Sequence, residues 1–150
     1  MQPLRLRTHA GVRACPGIKH LALEPQFAAR RAAQAAGFDD ALLVAEDGHI
    51  AEGTFCNLAL WDGGIVTWPA APALPGVTFQ LLGRELDAAG IRQRIAPVRL
   101  EDLALQRAAF ALNSSGISDV AMVDRQAFAG DAAFGARLRA LHAAIPWDPL

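Results

Sequence analysis

Two short apolar runs that each double back on a turn constrain this chain more than any other feature. Ala41 to Val44 leads into Asp47-Gly48, and Ile50 begins the return. Cys56 to Trp61 leads into Asp62-Gly63-Gly64 and returns over Ile65 to Trp68. Asp-Gly pairs between apolar runs supply the positive φ that a tight hairpin needs. Two adjacent hairpins imply an antiparallel sheet, and Glu52 falls on or just after the first returning strand. Leu4-Arg5-Leu6-Arg7-Thr8 alternates with period two, the pattern of a strand with one apolar face.

Helical stretches lie between these strands. From Glu24-Pro25 to Ala36 the proline suits the first turn, Phe27, Ala28, Arg31, Ala32 and Ala35 share helical spacing, and Gly37 closes the run. Pro69 to Pro75 holds three prolines and breaks regular structure. It delivers the chain to Gly76-Val77-Thr78, at the head of a helix that runs to Ala89 and stops at Gly90. Ile91 to Val98 reads as a strand, Leu100 to Leu105 as a short helix opened by acidic residues, and Ala108 to Leu112 as a buried strand. Asn113-Ser114-Ser115-Gly116 forms a polar turn, Val120 to Val123 a strand, and Asp131 to Ala144 a surface helix before the proline-containing end at Trp147-Asp148-Pro149-Leu150. At 150 residues one domain is expected.

The charge balance excludes some partners. A net charge of -1 gives no broad electrostatic case for nucleic acid or an anionic membrane surface. Apolar residues reach 53%, but Arg, Asp, Gly or Pro interrupts every apolar run before spanning length. No stretch near the start has the form of a signal peptide. Cys15 and Cys56 stand apart without CxxC spacing and read as reduced core residues. A cytoplasmic protein is expected.

The chemistry gathers around Lys19, the only lysine in the chain, placed in Pro16-Gly17-Ile18-Lys19-His20-Leu21 just ahead of a helix. An ammonium can lose its proton and condense with a carbonyl, which a guanidinium does not do. Gly76-Val77-Thr78 offers backbone amides, a hydroxyl and the positive end of a helix dipole, which together suit a phosphate, although a plain cap has the same look. The Asn113 to Gly116 turn is either a second phosphate contact or only a turn. A lysine, a glutamate on a strand and two such turns make up the set that pyridoxal phosphate needs. The lysine takes the aldehyde, an acid keeps the pyridine nitrogen protonated, and amides and hydroxyls hold the phosphate.

Four stretches carry a family resemblance, in order: Gly17 to Leu21; Ala35 to Leu43 together with Ile50-Ala51-Glu52-Gly53-Thr54-Phe55-Cys56-Asn57; Ala73-Leu74-Pro75-Gly76-Val77-Thr78; and Leu112 to Gly116 followed by Val123-Asp124. They resemble the fold-type IV (class IV) pyridoxal-phosphate enzymes, which include branched-chain and D-amino acid aminotransferases and aminodeoxychorismate lyase. The resemblance implies an α+β fold of the D-amino acid aminotransferase large-domain type, a mixed sheet curled toward a barrel with helices 25–36, 77–89 and 131–144 outside it. It implies Lys19 as the Schiff-base lysine and proton carrier, Glu52 facing the pyridine nitrogen and Leu74 packing on the ring. Val77 and Thr78 would give backbone and hydroxyl contacts to phosphate, and Ser114 a hydroxyl contact from the second turn. Asn57 would support the glutamate loop, and His20 echoes the Lys-His of the lyase branch.

The resemblance further implies pyridoxal 5'-phosphate as cofactor, an amino acid or amino-chorismate-type substrate, a homodimer, and a smaller N-terminal domain with no counterpart in these residues. The chain departs from the family at Ala22, where asparagine is usual, at Phe79, where an arginine commonly follows, and at the Ser114 turn, one residue short. It contains no tyrosine. Besides transamination or lyase chemistry, two readings stay open: a truncated relative that turns over nothing, and an assembly module that never binds cofactor.

Overall fold

The computed structural model describes residues 2–146; the proline-containing end at 147–150 lies outside the described residues. The elements follow as β1 (Leu4–Ala10), α1 (Glu24–Ala35), β2 (Asp40–Val44), β3 (Ile50–Gly53), β4 (Asn57–Trp61), β5 (Val66–Pro69), α2 (Val77–Ala88) and β6 (Gln93–Ala96). A 3-10 turn follows at Leu100–Leu105, then β7 (Ala108–Asn113), β8 (Gly116–Val123), β9 (Gln126–Ala127) and α3 (Ala132–Ala143). The expected 91–98 strand is shortened to Gln93–Ala96, and the expected 120–123 strand starts earlier, at Gly116.

Both hairpins form, β2 with β3 and β4 with β5, each antiparallel. They are not neighbours in the sheet, whose order is β3-β2-β1-β8-β7-β4-β5-β6, with β9 beside β8. The reason lies in β1. It runs parallel to β2 on one side and to β8 on the other, so strands from the two ends of the chain meet at the centre. Asp124, at positive φ after β8, fixes that meeting: its carboxylate accepts the Thr8 amide at 3.0 Å and the Thr8 hydroxyl at 2.7 Å. The sheet therefore is mixed and curls on itself. At its open edge the Ile50 amide donates to the Val98 carbonyl at 2.8 Å, and His49 bridges to Arg99.

Alternation along the strands sorts their side chains between two faces. Inside the curl sit Leu6, Leu42, Ile50, Leu58, Leu60, Ala109, Ala111 and Val120. On the outer face Ala59, Val66, Trp68, Phe110 and Leu112 pack under Leu82 and Leu86 of α2 and Phe134 and Leu138 of α3. A third, smaller cluster sets Ala29 and Ala33 of α1 against Ala41 and Leu43 of β2. On α1, Gln26, Ala29 and Ala33 point inward, while Phe27, Ala28, Arg31, Ala32 and Ala35, the residues whose spacing marked the helix, are exposed. Alanine occurs on both sides of the helix, with Ala29 and Ala33 inward and Ala28 and Ala32 outward at the same i, i+4 spacing, so the local pattern carried no net direction. Of the two free cysteines, Cys56 is buried and Cys15 is exposed rather than in the core. No helix among the described residues is long and apolar enough to cross a membrane.

Candidate active site

The carboxylate of Glu52 is the centre of the candidate site. Glu52 lies on β3, on the inner face with Ile50, and is 2% exposed. Its Oε1 accepts from Arg13 Nε at 3.0 Å, and its Oε2 accepts the Leu74 amide at 3.2 Å. Burial pushes the carboxyl upward from its ordinary pKa, and the Arg13 guanidinium pulls the other way. Cys56, close by, is pushed up to about 12 by burial, with the Asp40 and Glu52 charges acting in the same direction.

Asn57 begins β4 and braces the loop before α2. Its Nδ2 donates to the Leu74 carbonyl at 2.8 Å, and its Oδ1 accepts the Gly76 amide at 3.2 Å. Gly76 has to be glycine for this to hold, because a Cβ there would run into Asn57 Oδ1. Glu52 and Asn57 together grip Leu74-Pro75-Gly76 from three sides. The asparagine thus supports the loop leading to α2, rather than the glutamate loop expected for it.

That loop delivers α2 with its amino terminus free. Gly76 is extended, no side chain caps the helix, and the first amide to bond within the helix is that of Gln80, to the Gly76 carbonyl. The amides of Val77, Thr78 and Phe79 are the orphan donors of a helix start. Val77 is 71% exposed, whereas Thr78 is buried. The Thr78 hydroxyl donates to the Asn113 carbonyl at 2.9 Å, so the two polar turns expected from the sequence stand side by side. In the second turn the Ser115 amide bonds Asn113 Oδ1, and Ser114 is exposed without a hydrogen-bond partner among the described residues.

Lys19 sits on the loop between β1 and α1. It is exposed and makes no hydrogen bond or ion pair among the described residues. His20 beside it bonds the Ala14 carbonyl at 2.8 Å through Nε2. A carbonyl only accepts, so Nε2 carries a proton, and Nδ1 is buried without a partner among the described residues. The structure brings together Glu52, Leu74, Asn57, Thr78 and the Asn113 turn, and it joins the Lys19 loop to them through Arg13. Arg13 escaped the sequence reading. As one of 13 arginines it carries no local signal of its own.

The class IV amino-transferase profile matches residues 5–123, most of the chain, from β1 through the Lys19 loop, Glu52 and the start of α2 to the Asn113 turn. The chain belongs to the class IV amino-transferase family. Solved structures agree. A Legionella pneumophila protein described as a "putative 4-amino-4-deoxychorismate lyase" superposes with a TM-score of 0.86 at 26% identity, over 91% of this chain and 54% of that one. The fold IV transaminase CpuTA1 of Curtobacterium pusillum gives 0.85 at 24% identity, over 95% and 54%. A hypothetical aminotransferase from Mycobacterium tuberculosis, in its PLP-bound form, gives 0.85 at 21%, over 95% and 55%. The last two likenesses speak for the fold alone. No curated protein matches the chain significantly. This class IV chain spans about half the length of the structures it matches, and its curled mixed sheet with flanking helices is the fold of that family.

The residues present fit pyridoxal phosphate at both of its ends. An uncapped helix start beside a serine-bearing turn suits the phosphate, and the buried Glu52 carboxylate, bonded to the loop that opens that helix, suits a cationic ring nitrogen. Among the described residues no group of three or more His, Cys, Asp or Glu is placed to hold a metal ion.

Proposed function

We propose that this class IV chain contributes the cofactor-binding half of an enzyme that transforms an amino acid with pyridoxal 5'-phosphate. The reaction is transamination or lyase chemistry of the aminodeoxychorismate type. One observation carries the reading: the short loop Leu74-Pro75-Gly76 is bonded to the Glu52 carboxylate at one end and opens the uncapped α2 at the other. A ligand with a phosphate and a ring cation is what such a loop suits.

The cofactor, when bound, supplies an aldehyde and a pyridine ring that accepts electrons. The chain's own residues supply the rest. The amides of Val77 and Thr78 bind phosphate, and the Ser114 hydroxyl is free to donate to it. The Thr78 hydroxyl already directs its proton to Asn113, so Thr78 serves mainly through its amide and by holding the two turns together. Glu52 would hold the proton of the ring nitrogen, and Leu74, fixed at both its amide and its carbonyl, would pack on the ring. Lys19 Nζ would be the group that holds the cofactor's aldehyde carbon and carries the proton at the substrate α carbon; no fixed salt bridge among the described residues competes for it. Val12, Ile18, Leu21 and Phe27 are exposed apolar side chains on and beside the Lys19 loop, with Leu21 95% exposed. Such a surface supports burial against further protein, which we assign to a smaller N-terminal domain and a second copy in a homodimer. Residues from that side choose the amino acid or amino-chorismate-type substrate. A cytoplasmic location accords with two unpaired cysteines.

The test is borohydride reduction of the folded chain with pyridoxal phosphate, followed by peptide mapping. Label on Lys19 is expected. Reduction that leaves Lys19 unlabelled in a folded sample would refute its assignment and favour a relative that has lost its cofactor. Glu52→Ala is expected to keep binding and lose turnover, and Ser114→Ala to weaken cofactor affinity.

A further inference from the structure

We propose that Arg13 is the positioning residue for Glu52: carried by the loop that also carries Lys19, its guanidinium holds the carboxylate in one orientation and keeps it ionised. The consequence for the cofactor rests on the function proposed above, whereas the ion pair belongs to this chain alone.

Arg13 follows β1 by three residues and is 5% exposed, against 2% for Glu52. Its Nε donates to Glu52 Oε1 at 3.0 Å, and its Nη2 donates to the Thr54 carbonyl at 3.3 Å. The planar fork thus spans the carboxylate and the backbone two residues further on. An ammonium, which acts as a single point donor, lacks that geometry. With Oε2 fixed by the Leu74 amide, both oxygens of Glu52 are tied.

The other groups around this carboxylate do not substitute for Arg13. Cys56 is held protonated by burial. Asp40, whose Oδ1 accepts from the Thr54 hydroxyl and the Ala41 amide, adds only like charge. Arg30, on α1, lies over the Phe55 ring. Lys19 bonds nothing among the described residues. Without Arg13, burial would leave Glu52 to satisfy itself by taking a proton.

Stability gives no reason to keep such a pair, since well-packed apolar replacements for buried ion pairs are often neutral or better. A requirement for charge does give one. A carboxylate that stays ionised leaves the proton on the ring nitrogen it faces, and one that protonates itself does not. The same guanidinium links the Lys19 loop to the Glu52 strand, so the lysine and the carboxylate are kept in a common frame.

The test needs no turnover. The full chain, labelled with carbon-13 at the glutamate carboxyls and without cofactor, is titrated by NMR, with Glu52→Gln identifying the signal. In Arg13→Gln the Glu52 midpoint is expected to rise by about one to three pH units, the range an adjacent opposite charge commands. Arg13→Lys is expected to return it most of the way. An unchanged midpoint in Arg13→Gln overturns the proposal. Should Arg13→Gln fail to fold, the wild-type chain decides: the Arg13 Nε nitrogen-15 signal moves with the Glu52 titration, and a signal that stays put overturns it. Added pyridoxal phosphate separates the two readings. If it gives no absorption band with the wild-type chain, the cofactor reading fails, while the Glu52 titration still rules on Arg13.

Discussion

The hydroxyl of Thr78 donates to the carbonyl oxygen of Asn113 across 2.9 Å, and that one bond sets the start of α2 against the β7–β8 turn. The two residues are 35 positions apart, and each belongs to a turn that alone has only a local meaning. Joined, they form one polar rim with three orphan amides and an exposed serine hydroxyl. Thr78→Val keeps the shape and removes the bond. A loss of about 1 kcal/mol in urea unfolding is expected, with a larger proportional loss in pyridoxal phosphate affinity. Equal affinity in wild type and variant would show that the rim does not bind phosphate.

Gly76 is expected to be intolerant of alanine because of Asn57, not because of its backbone, which is ordinary extended chain at φ -62°. Gly76→Ala should cost about 1–3 kcal/mol, the range for overpacking. Asn57→Ala also destabilises, by freeing Leu74 and Gly76. In the double variant the added methyl no longer meets the amide oxygen, so the two costs fall short of adding. Chemical denaturation of the four proteins measures this; strict additivity would mean that the contact does not limit the loop.

Asp131 caps α3. Its carboxyl is held below the usual range by the Phe134 amide first, then by the Trp61 indole N–H, with Arg107 assisting. A lowered folded value means that the contribution to stability is present above the unfolded carboxyl pKa, near 3.9, and disappears as pH falls through the folded value. Asp131→Asn keeps a cap and removes the charge. Its deficit relative to wild type, measured by urea melts, should be full at about pH 6 and should shrink below about pH 4. A deficit independent of pH would assign the effect to shape.

The cysteines should differ in reactivity. Cys15 is exposed, while burial holds the Cys56 thiol up to about 12. Ellman's reagent at about pH 8 is expected to titrate one thiol in the native chain and two in denaturant. Stability should fall as pH rises above about 8.5, where the unfolded thiol ionises and the buried one does not. Cys56→Ala should flatten that slope. Two fast thiols in the native chain would contradict the burial of Cys56.

Local chemistry wrote much of this structure into the sequence. Asp47-Gly48 and Asp62-Gly63-Gly64 turn the chain wherever they stand, the proline-rich run ends β5, and Gly37 and Gly90 stop their helices, so the elements lie close to where the sequence puts them. Lys19, Glu52 and the two polar turns carried the family resemblance through their order along the chain, and the class IV family model matches across them.

Pairing was not legible, because it depends on residues far apart. Leu6 of β1 pairs with Asp40 on one side and Val123 on the other, and no local pattern announces either partner. Those two parallel pairings separate hairpins that are neighbours in the chain. The inward face of α1, where Ala29 and Ala33 pack on Ala41 and Leu43 of β2, was not legible either, since alanine marks both sides of the helix alike. Arg13 is the plainest case. As a sequence position it is one arginine of 13, and only the curl of the sheet, by burying it against Glu52 where water cannot solvate either charge, gives it a partner and a task.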